Sequence, residues 1–304
     1  AGAIMSGIYF GDRGSPVSSC ASLVAALTET DLYGNVKRML KTAVLPLALS
    51  FGVYFLLSRA NPITVIDEGL LTLLKESFGV SAWMLLPAAI MLVLPLFKVP
   101  IRRAMAISVG AAFVLTVTMQ GIPVLQALKT AILGYQPQNA AITKIMSGGG
   151  FISMLPTMVM NIFAAACTGL LEGMGLLENL RGRLAAMRAK IGLLPTLTVS
   201  GTLIIMCVCN QTISIMIAHQ LMGSIYAKEG KEHEEFAMDI ANSIVVIAGL
   251  VPWSIACSVP LSMLNIGISA LPYACYLYLI PICYLFTKKF FFPAKTVNSE
   301  ANIK

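Results

Sequence analysis

Apolar residues gather along this chain into long blocks that polar clusters separate. Nearly uncharged runs cover positions 39–58, with Lys41 alone inside, then 80–97, 104–119, 151–171, 191–209, 240–264 and 271–286. Each approaches or exceeds the roughly 20 residues that a helix needs to cross about 30 Å of hydrocarbon. A backbone in lipid must satisfy its own hydrogen bonds, and helices do so within one segment. The pattern predicts an all-α, polytopic transmembrane protein with one membrane domain over 1–290 and a cytoplasmic tail over 291–304. Small residues such as Gly110, Ala111 and Ala112 allow close helix packing in that domain.

Two runs are interrupted in a way that a plain span does not require. Residues 1–10 make about half a span, Gly11-Asp12-Arg13-Gly14-Ser15-Pro16 breaks the helix, and 17–27 supply another half. Proline removes an amide donor and disfavours helix just before itself, and glycine permits non-helical dihedrals, so the break exposes backbone polar groups. Lipid tolerates such groups only where they line a cavity or are buried in protein. The motif recurs at 240–264, where Pro252-Trp253 and Pro260 interrupt the run. A third feature, Asn210-Gln211-Thr212-Ile213-Ser214, sets four hydrogen-bonding side chains between apolar flanks, as the tip of a re-entrant hairpin would. Paired interrupted segments in membrane chains point to a binding site near the bilayer midplane.

Composition agrees with this class. Hydrophobic residues make up 57% of the 304 and charged residues 12%, about half the charge of a soluble domain, and mean hydropathy is +0.82. The net charge of +7 follows topology. Folding the spans back and forth places Lys37, Arg38, Lys41, Lys98, Arg102, Arg103, Arg181, Arg183, Arg188, Lys190, Lys228, Lys231, Lys288, Lys289, Lys295 and Lys304 on one side. Arg59, Lys75, Lys129 and Lys144 fall on the other, with Arg13 set aside inside its motif. The positive-inside rule makes the first side cytoplasmic, the carboxy terminus included, in a cell inner (plasma) membrane. The basic excess therefore implies a lipid bilayer, and no nucleic acid is expected as a partner. The seven cysteines lie in apolar stretches without metal-site spacing and read as free thiols, and the 17 methionines form no repeated motif. No cofactor is expected.

Asp12 is the leading candidate for chemistry, because an acid between apolar half-helices is costly unless it pairs or faces a polar cavity. The plain alternatives are a salt bridge to Arg13 and a position at the water interface. Asp239 is the second candidate, and its plain alternative is a helix start after the solvated run 228–235. Asn210, Gln211 and Ser214 offer neutral oxygens that can replace water around Na⁺, and Ser15 and Ser18 are further oxygen ligands. Glu172 reads as an interfacial anchor, and His219 as a weak proton-relay candidate. Asp67, Glu68, Lys75 and Glu76 decorate an amphipathic stretch, 66–78, expected to lie along the outer surface.

These residues carry a resemblance. Gly2-Ala3-Ile4-Met5-Ser6-Gly7-Ile8-Tyr9-Phe10-Gly11-Asp12-Arg13-Gly14-Ser15-Pro16-Val17-Ser18 resembles the signature segment of the NhaC family of Na⁺/H⁺ antiporters. Asn210 to Ile215, Asp239 with Gly249-Leu250-Val251-Pro252-Trp253, and Leu271-Pro272-Tyr273 are similar to later family segments. The resemblance implies an inverted-repeat transporter fold and exchange of Na⁺ for H⁺, or cation and proton movement coupled to a small organic anion. It places Asp12, Ser15, Ser18, Asn210, Gln211, Ser214 and Asp239 at the cation and proton site. Asp12 would alternate between protonated and cation-bound states. Where the family commonly continues Ser-Pro-Leu-Ser with Asp-Thr-Thr, this chain has Ser19-Cys20-Ala21, one hydroxyl in place of an acid and two threonines. A different ion or a small carboxylate therefore stays open. Family chains extend upstream of the signature, so this chain is expected to be a carboxy-terminal portion.

Two rival classes use the same residues differently. A channel or uncoupled carboxylate carrier would share the polar breaks but show no obligatory counter-transport. An enzyme would need a paired nucleophile and base, and neither His219 nor His233 has a Ser or Cys partner at motif spacing, so no enzyme is expected. Homo-oligomerisation is left open.

Overall fold

A computed structural model describes residues 1–60, 81–97, 99–136, 149–174, 176–264 and 266–292. Lys98, Lys144, the amphipathic stretch 66–78 and the tail beyond 292 lie outside the described residues. Helices account for the regular structure of the described residues, in the order α1 (Gly2–Gly14), α2 (Ser19–Leu27), α3 (Leu32–Ala60), α4 (Leu86–Val93), α5 (Ile101–Met119), α6 (Val124–Leu133), α7 (Gly150–Ser153), α8 (Leu155–Gly173), α9 (Leu176–Ile191), α10 (Leu193–Val208), α11 (Gln211–Lys228), α12 (His233–Asn242), α13 (Ile244–Ile247), α14 (Ile255–Met263) and α15 (Cys275–Phe291).

Among the described residues, α3 (29 residues) and α5 (19 residues) are long and apolar enough to cross a bilayer, as is the bent pair His233–Leu250 and Ile255–Met263 taken as one broken span. Asp31 starts α3 by accepting the Gly34 amide at 2.6 Å. Its apolar side chains face outward: Phe51 is 66% exposed and Leu56 67%, and Val109 of α5 is 69% exposed. Water would penalise such faces by roughly 1.5–3 kcal/mol per large side chain, whereas lipid does not. This is an integral membrane protein.

Proline divides the run at 80–97 more finely than its hydropathy suggests. A 3₁₀ turn (Ala82–Leu85), α4 and a second 3₁₀ turn (Leu94–Phe97) follow one another around Pro87 and Pro95, and α4 packs on α5. At the other end of the chain, a 3₁₀ turn through Pro272 (Ile268–Tyr273) delays α15 to Cys275.

The break in the first segment also differs from expectation. Helix α1 continues through Gly11, Asp12 and Arg13, and the interruption falls at Ser15-Pro16-Val17. The two glycines are tolerated inside the helix, while Pro16 drives Ser15 to φ −108°, ψ 138°. Ser18 then starts α2, its hydroxyl accepting the amides of Cys20 and Ala21 at 3.1 and 3.2 Å.

The second break is as expected in kind. Helix α12 ends at Ser243, α13 and a 3₁₀ turn (Ala248–Leu250) follow, and α14 departs at 56° to the preceding segment. Ser254 caps α14, accepting Cys257 N–H at 3.2 Å and donating to Ala248 O at 2.6 Å. The polar cluster at 210–214 begins α11, which forms a helical hairpin with α10. Cys209 makes the turn with φ +59°, a left-handed conformation uncommon for a residue with a Cβ.

The core forms where these interrupted elements meet. Leu197 and Ile205 of α10, Ile215 and Leu221 of α11, and Ile240 and Ile244 beyond them share one apolar cluster. Met5 and Tyr9 of α1 join Cys257, Tyr276, Leu277 and Ile280 in a second. Gly249 admits the Tyr9 ring: a Cβ there would overlap that ring and the Leu277 side chain.

Candidate functional site

Backbone groups freed by one break are satisfied at another. Ile255 N–H, at the start of α14, donates to Cys209 O at the hairpin tip at 2.8 Å, and Trp253 Nε1 donates to Met206 O at 2.9 Å. From α1, Tyr9 donates its hydroxyl to Ala256 O at 2.5 Å. The three interruptions seen in the sequence thus lie side by side.

Asp12 stands at their junction. Its Oδ1 accepts Ser18 Oγ–H at 2.8 Å and its Oδ2 accepts Gln211 Nε2–H at 2.9 Å. Because the Ser18 hydroxyl itself accepts two amides at the start of α2, the positive end of that helix is relayed to the carboxylate. Gln211 donates also to Val245 O at 2.7 Å, so one amide ties Asp12 to the broken segment. Asp12 is half-buried and has no ion-pair partner among the described residues. The Cys20 thiol also lies in hydrogen-bonding contact with this carboxylate, whose lone pairs still leave acceptor capacity for a proton or a cation.

The salt bridge to Arg13 does not form, for a geometric reason. Consecutive helical residues point about 100° apart, so Arg13 leaves α1 in another direction. It is 1% exposed and donates to Asn242 Oδ1 and Met39 O, with Thr42 Oγ1 at 3.5 Å. A buried cation whose acceptors among the described residues are neutral ties α1 to α3 and α12.

Other expected residues shape the surroundings of Asp12. Ser15 accepts Val17 N–H at 3.2 Å within the turn, Asn210 caps α11 by accepting Ile213 N–H at 3.2 Å, and Ser214 folds back onto Asn210 O at 2.6 Å. They hold the backbone beside the acid.

Asp239 lies in a cluster of its own. It sits in the second turn of α12 rather than at its start, fully buried, accepting Tyr226 Oη–H at 2.5 Å, Tyr284 Oη–H at 3.0 Å and the Lys288 ammonium. Lys288 also reaches Glu235 at 2.9 Å, which pairs with Lys231 at 3.2 Å. Asp239 and Asn242 are one helical turn apart, so the Arg13 bond to Asn242 links the two acidic clusters through α12. His219 stacks on Phe236, ring centroids 5.4 Å apart. The backbone of Glu172 belongs to α8, and its side chain lies outside the described residues.

Arg13, Asn242, Tyr226, Tyr284 and Lys288 were not predicted as site residues. Arg13 carried a signal, a cation inside an apolar block. Lys288 carried none, since it sits at a helix end where the charge rule already accounts for it.

Ser18→Ala is expected to cost about 1 kcal/mol of stability through the lost cap and to remove one Asp12 donor. Thermal unfolding in detergent, paired with transport rates, checks both effects; unchanged values in both would remove Ser18 from the site.

The model of the Na⁺/H⁺ antiporter family matches residues 7–289. A Na⁺/H⁺ antiporter NhaC of Bacillus subtilis (strain 168) is 25% identical over 291 residues, covering 93% of this chain and 64% of the relative. A malate-2H⁺/Na⁺-lactate antiporter of the same organism is 28% identical over 320 residues, 99% of this chain and 67% of the relative. An arginine/ornithine antiporter ArcD of Halobacterium salinarum is 23% identical over 287 residues, 90% of this chain and 58% of the relative. The chain thus spans about two thirds of the length of the curated relatives it matches. No solved structure matches it.

Proposed function

Because this chain belongs to the Na⁺/H⁺ antiporter family, we propose that it carries the exchange site of a secondary antiporter in which Na⁺ and H⁺ compete for the Asp12 carboxylate. The observation that carries the reading is the meeting of three interrupted elements around that acid. Na⁺ binds Asp12 with the neutral oxygen of the Gln211 amide, while Ser18, held by two amides, orients the carboxylate and Ser15, Asn210 and Ser214 hold the surrounding backbone. A proton on Asp12 removes the charge that retains the cation, so the two occupy the site alternately. Such competition couples opposed fluxes provided that only an occupied site reorients across the membrane.

Asp239 is already neutralised by Lys288 in this conformation. Its role is that of a second proton-accepting group, linked to the first through Asn242 and Arg13. The protein resides in the plasma membrane with the carboxy terminus of α15 on the cytoplasmic side, as the basic ends of α9, α11 and α15 support.

Two relatives are named as exchangers of organic molecules, malate with lactate and arginine with ornithine. The cargo is accordingly tested together with the coupling. In proteoliposomes of the protein loaded with unlabelled Na⁺, ²²Na⁺ uptake is expected to be accelerated by internal Na⁺ and by an outward proton gradient. Flux that follows only the membrane potential would identify a channel instead. Acceleration by an internal carboxylate, with no response to protons, would replace the Na⁺/H⁺ reading by anion exchange.

A further inference from the structure

The basic end of the bundle holds a cavity that the exchange site does not use. It encloses about 990 Å³ among the end of α9, the start of α10, the segment after α11 and the last turn of α15. Four cations line it, Arg188, Lys231, Lys288 and Lys289, against two carboxylates, Glu229 and Glu235. Arg188 pairs with Glu229, Lys231 and Lys288 share Glu235, and Lys288 also pairs with Asp239 behind the cavity wall, which leaves Lys289 as the excess cation. Lys289 has no ion-pair partner among the described residues, and the Arg188 side chain is 41% exposed. An anion would find both within the same cavity.

This basic cavity does not stand alone. A second hollow of about 430 Å³ shares Leu194, Pro195 and Leu285 with it and continues between α10 and α15 past Val199, Ile282 and Leu277. Its walls are almost wholly apolar, and from Leu285 back to Leu277 it follows about 12 Å of α15. Val199 is 44% exposed and Ile282 53%, so the furrow opens sideways, toward the hydrocarbon of a bilayer.

We propose that these joined hollows bind one anionic phospholipid of the cytoplasmic leaflet, its headgroup phosphate at Arg188 and Lys289 and an acyl chain in the furrow between α10 and α15. Basic pockets between helices on the cytoplasmic side of a membrane have the charge to hold such headgroups. A soluble anion would leave the furrow unused, and a zwitterionic lipid would fill the furrow without supplying the net negative charge that meets Lys289. The occupant therefore combines a net negative headgroup with a chain. Its phosphate would also lie in the cavity that Lys288 lines, which brings it near the clamp on Asp239.

The test titrates delipidated protein in detergent with phosphatidylglycerol, phosphatidylcholine or glycerol phosphate, and counts bound molecules by native mass spectrometry. One phosphatidylglycerol is expected to bind at least tenfold more tightly than phosphatidylcholine, with no retention of glycerol phosphate. Arg188→Gln with Lys289→Gln is expected to lower that affinity by roughly fivefold for each charge, and Ile282→Trp to lower it by filling the furrow. Equal binding of the two lipids would overturn the proposal, as would retention of glycerol phosphate alone. Unchanged affinity in both variants would also overturn it. Should a variant fail to fold, the lipid comparison on the unaltered protein still decides.

Discussion

Asp12→Asn is expected to reduce Na⁺-dependent proton exchange to the rate of protein-free vesicles while leaving the protein folded. Asparagine has nearly the shape of aspartate and can still accept the Ser18 hydroxyl. What it lacks is a charge to hold a cation and a group that can take up and release a proton. The Gln211 amide would face another amide nitrogen or force it to turn, a loss of about one hydrogen bond, 0.5–1.5 kcal/mol. Melting in detergent should fall by a few degrees at most, in contrast to complete loss of exchange. Retained exchange would move the coupling to another acid. Loss of both exchange and folding would instead mark Asp12 as structural.

Lys288→Met is expected to have the largest effect on stability. It leaves Asp239, 0% exposed, with two tyrosine hydroxyls and no cation. Removing one member of a buried pair typically costs about 3–5 kcal/mol, because the remaining charge stays uncompensated. The tyrosine hydrogen bonds and the 16% exposure of the Lys288 side chain place the expected loss toward the lower end. Adding Asp239→Asn in the same chain should recover most of it, since neither charge then remains at the pair. Denaturant unfolding of the two variants in detergent separates these outcomes. A single variant as stable as the parent would show that the clamp contributes nothing to the fold.

The two acids illustrate how far residue order alone can be read. The apolar blocks and their interruptions were legible because lipid imposes a length on helices and proline disrupts them whatever the tertiary context. Asp12, Ser18 and Gln211 were each identifiable, since a polar group inside an apolar run needs a reason. Their convergence was only an expectation from resemblance, because 199 positions separate Asp12 from Gln211 and no local rule pairs them. The sequence pattern starts the break at Gly11 and the structure starts it at Ser15, because glycine permits a kink without requiring one, whereas Pro16 imposes it.

Around Asp239 the sequence was less informative. Lys288 and Glu235 look like interfacial charges, and Tyr226 and Tyr284 like ordinary membrane-helix aromatics, until α11, α12 and α15 bring them together around the acid. Arg13 fell between these cases. Its position beside Asp12 suggested a pair, but the helical turn separates neighbours and sends the guanidinium to Asn242 and Met39 instead.

The central claim is competition between Na⁺ and H⁺ at one carboxylate, and its most direct measurement is the apparent KM for Na⁺ as a function of pH in proteoliposomes. One-site competition requires KM to rise as pH falls, by up to about tenfold per unit where the proton form dominates, with the rate at saturating Na⁺ preserved. A KM that stays constant across the pH range while the maximal rate changes would contradict it, and would mean that proton and cation occupy separate sites.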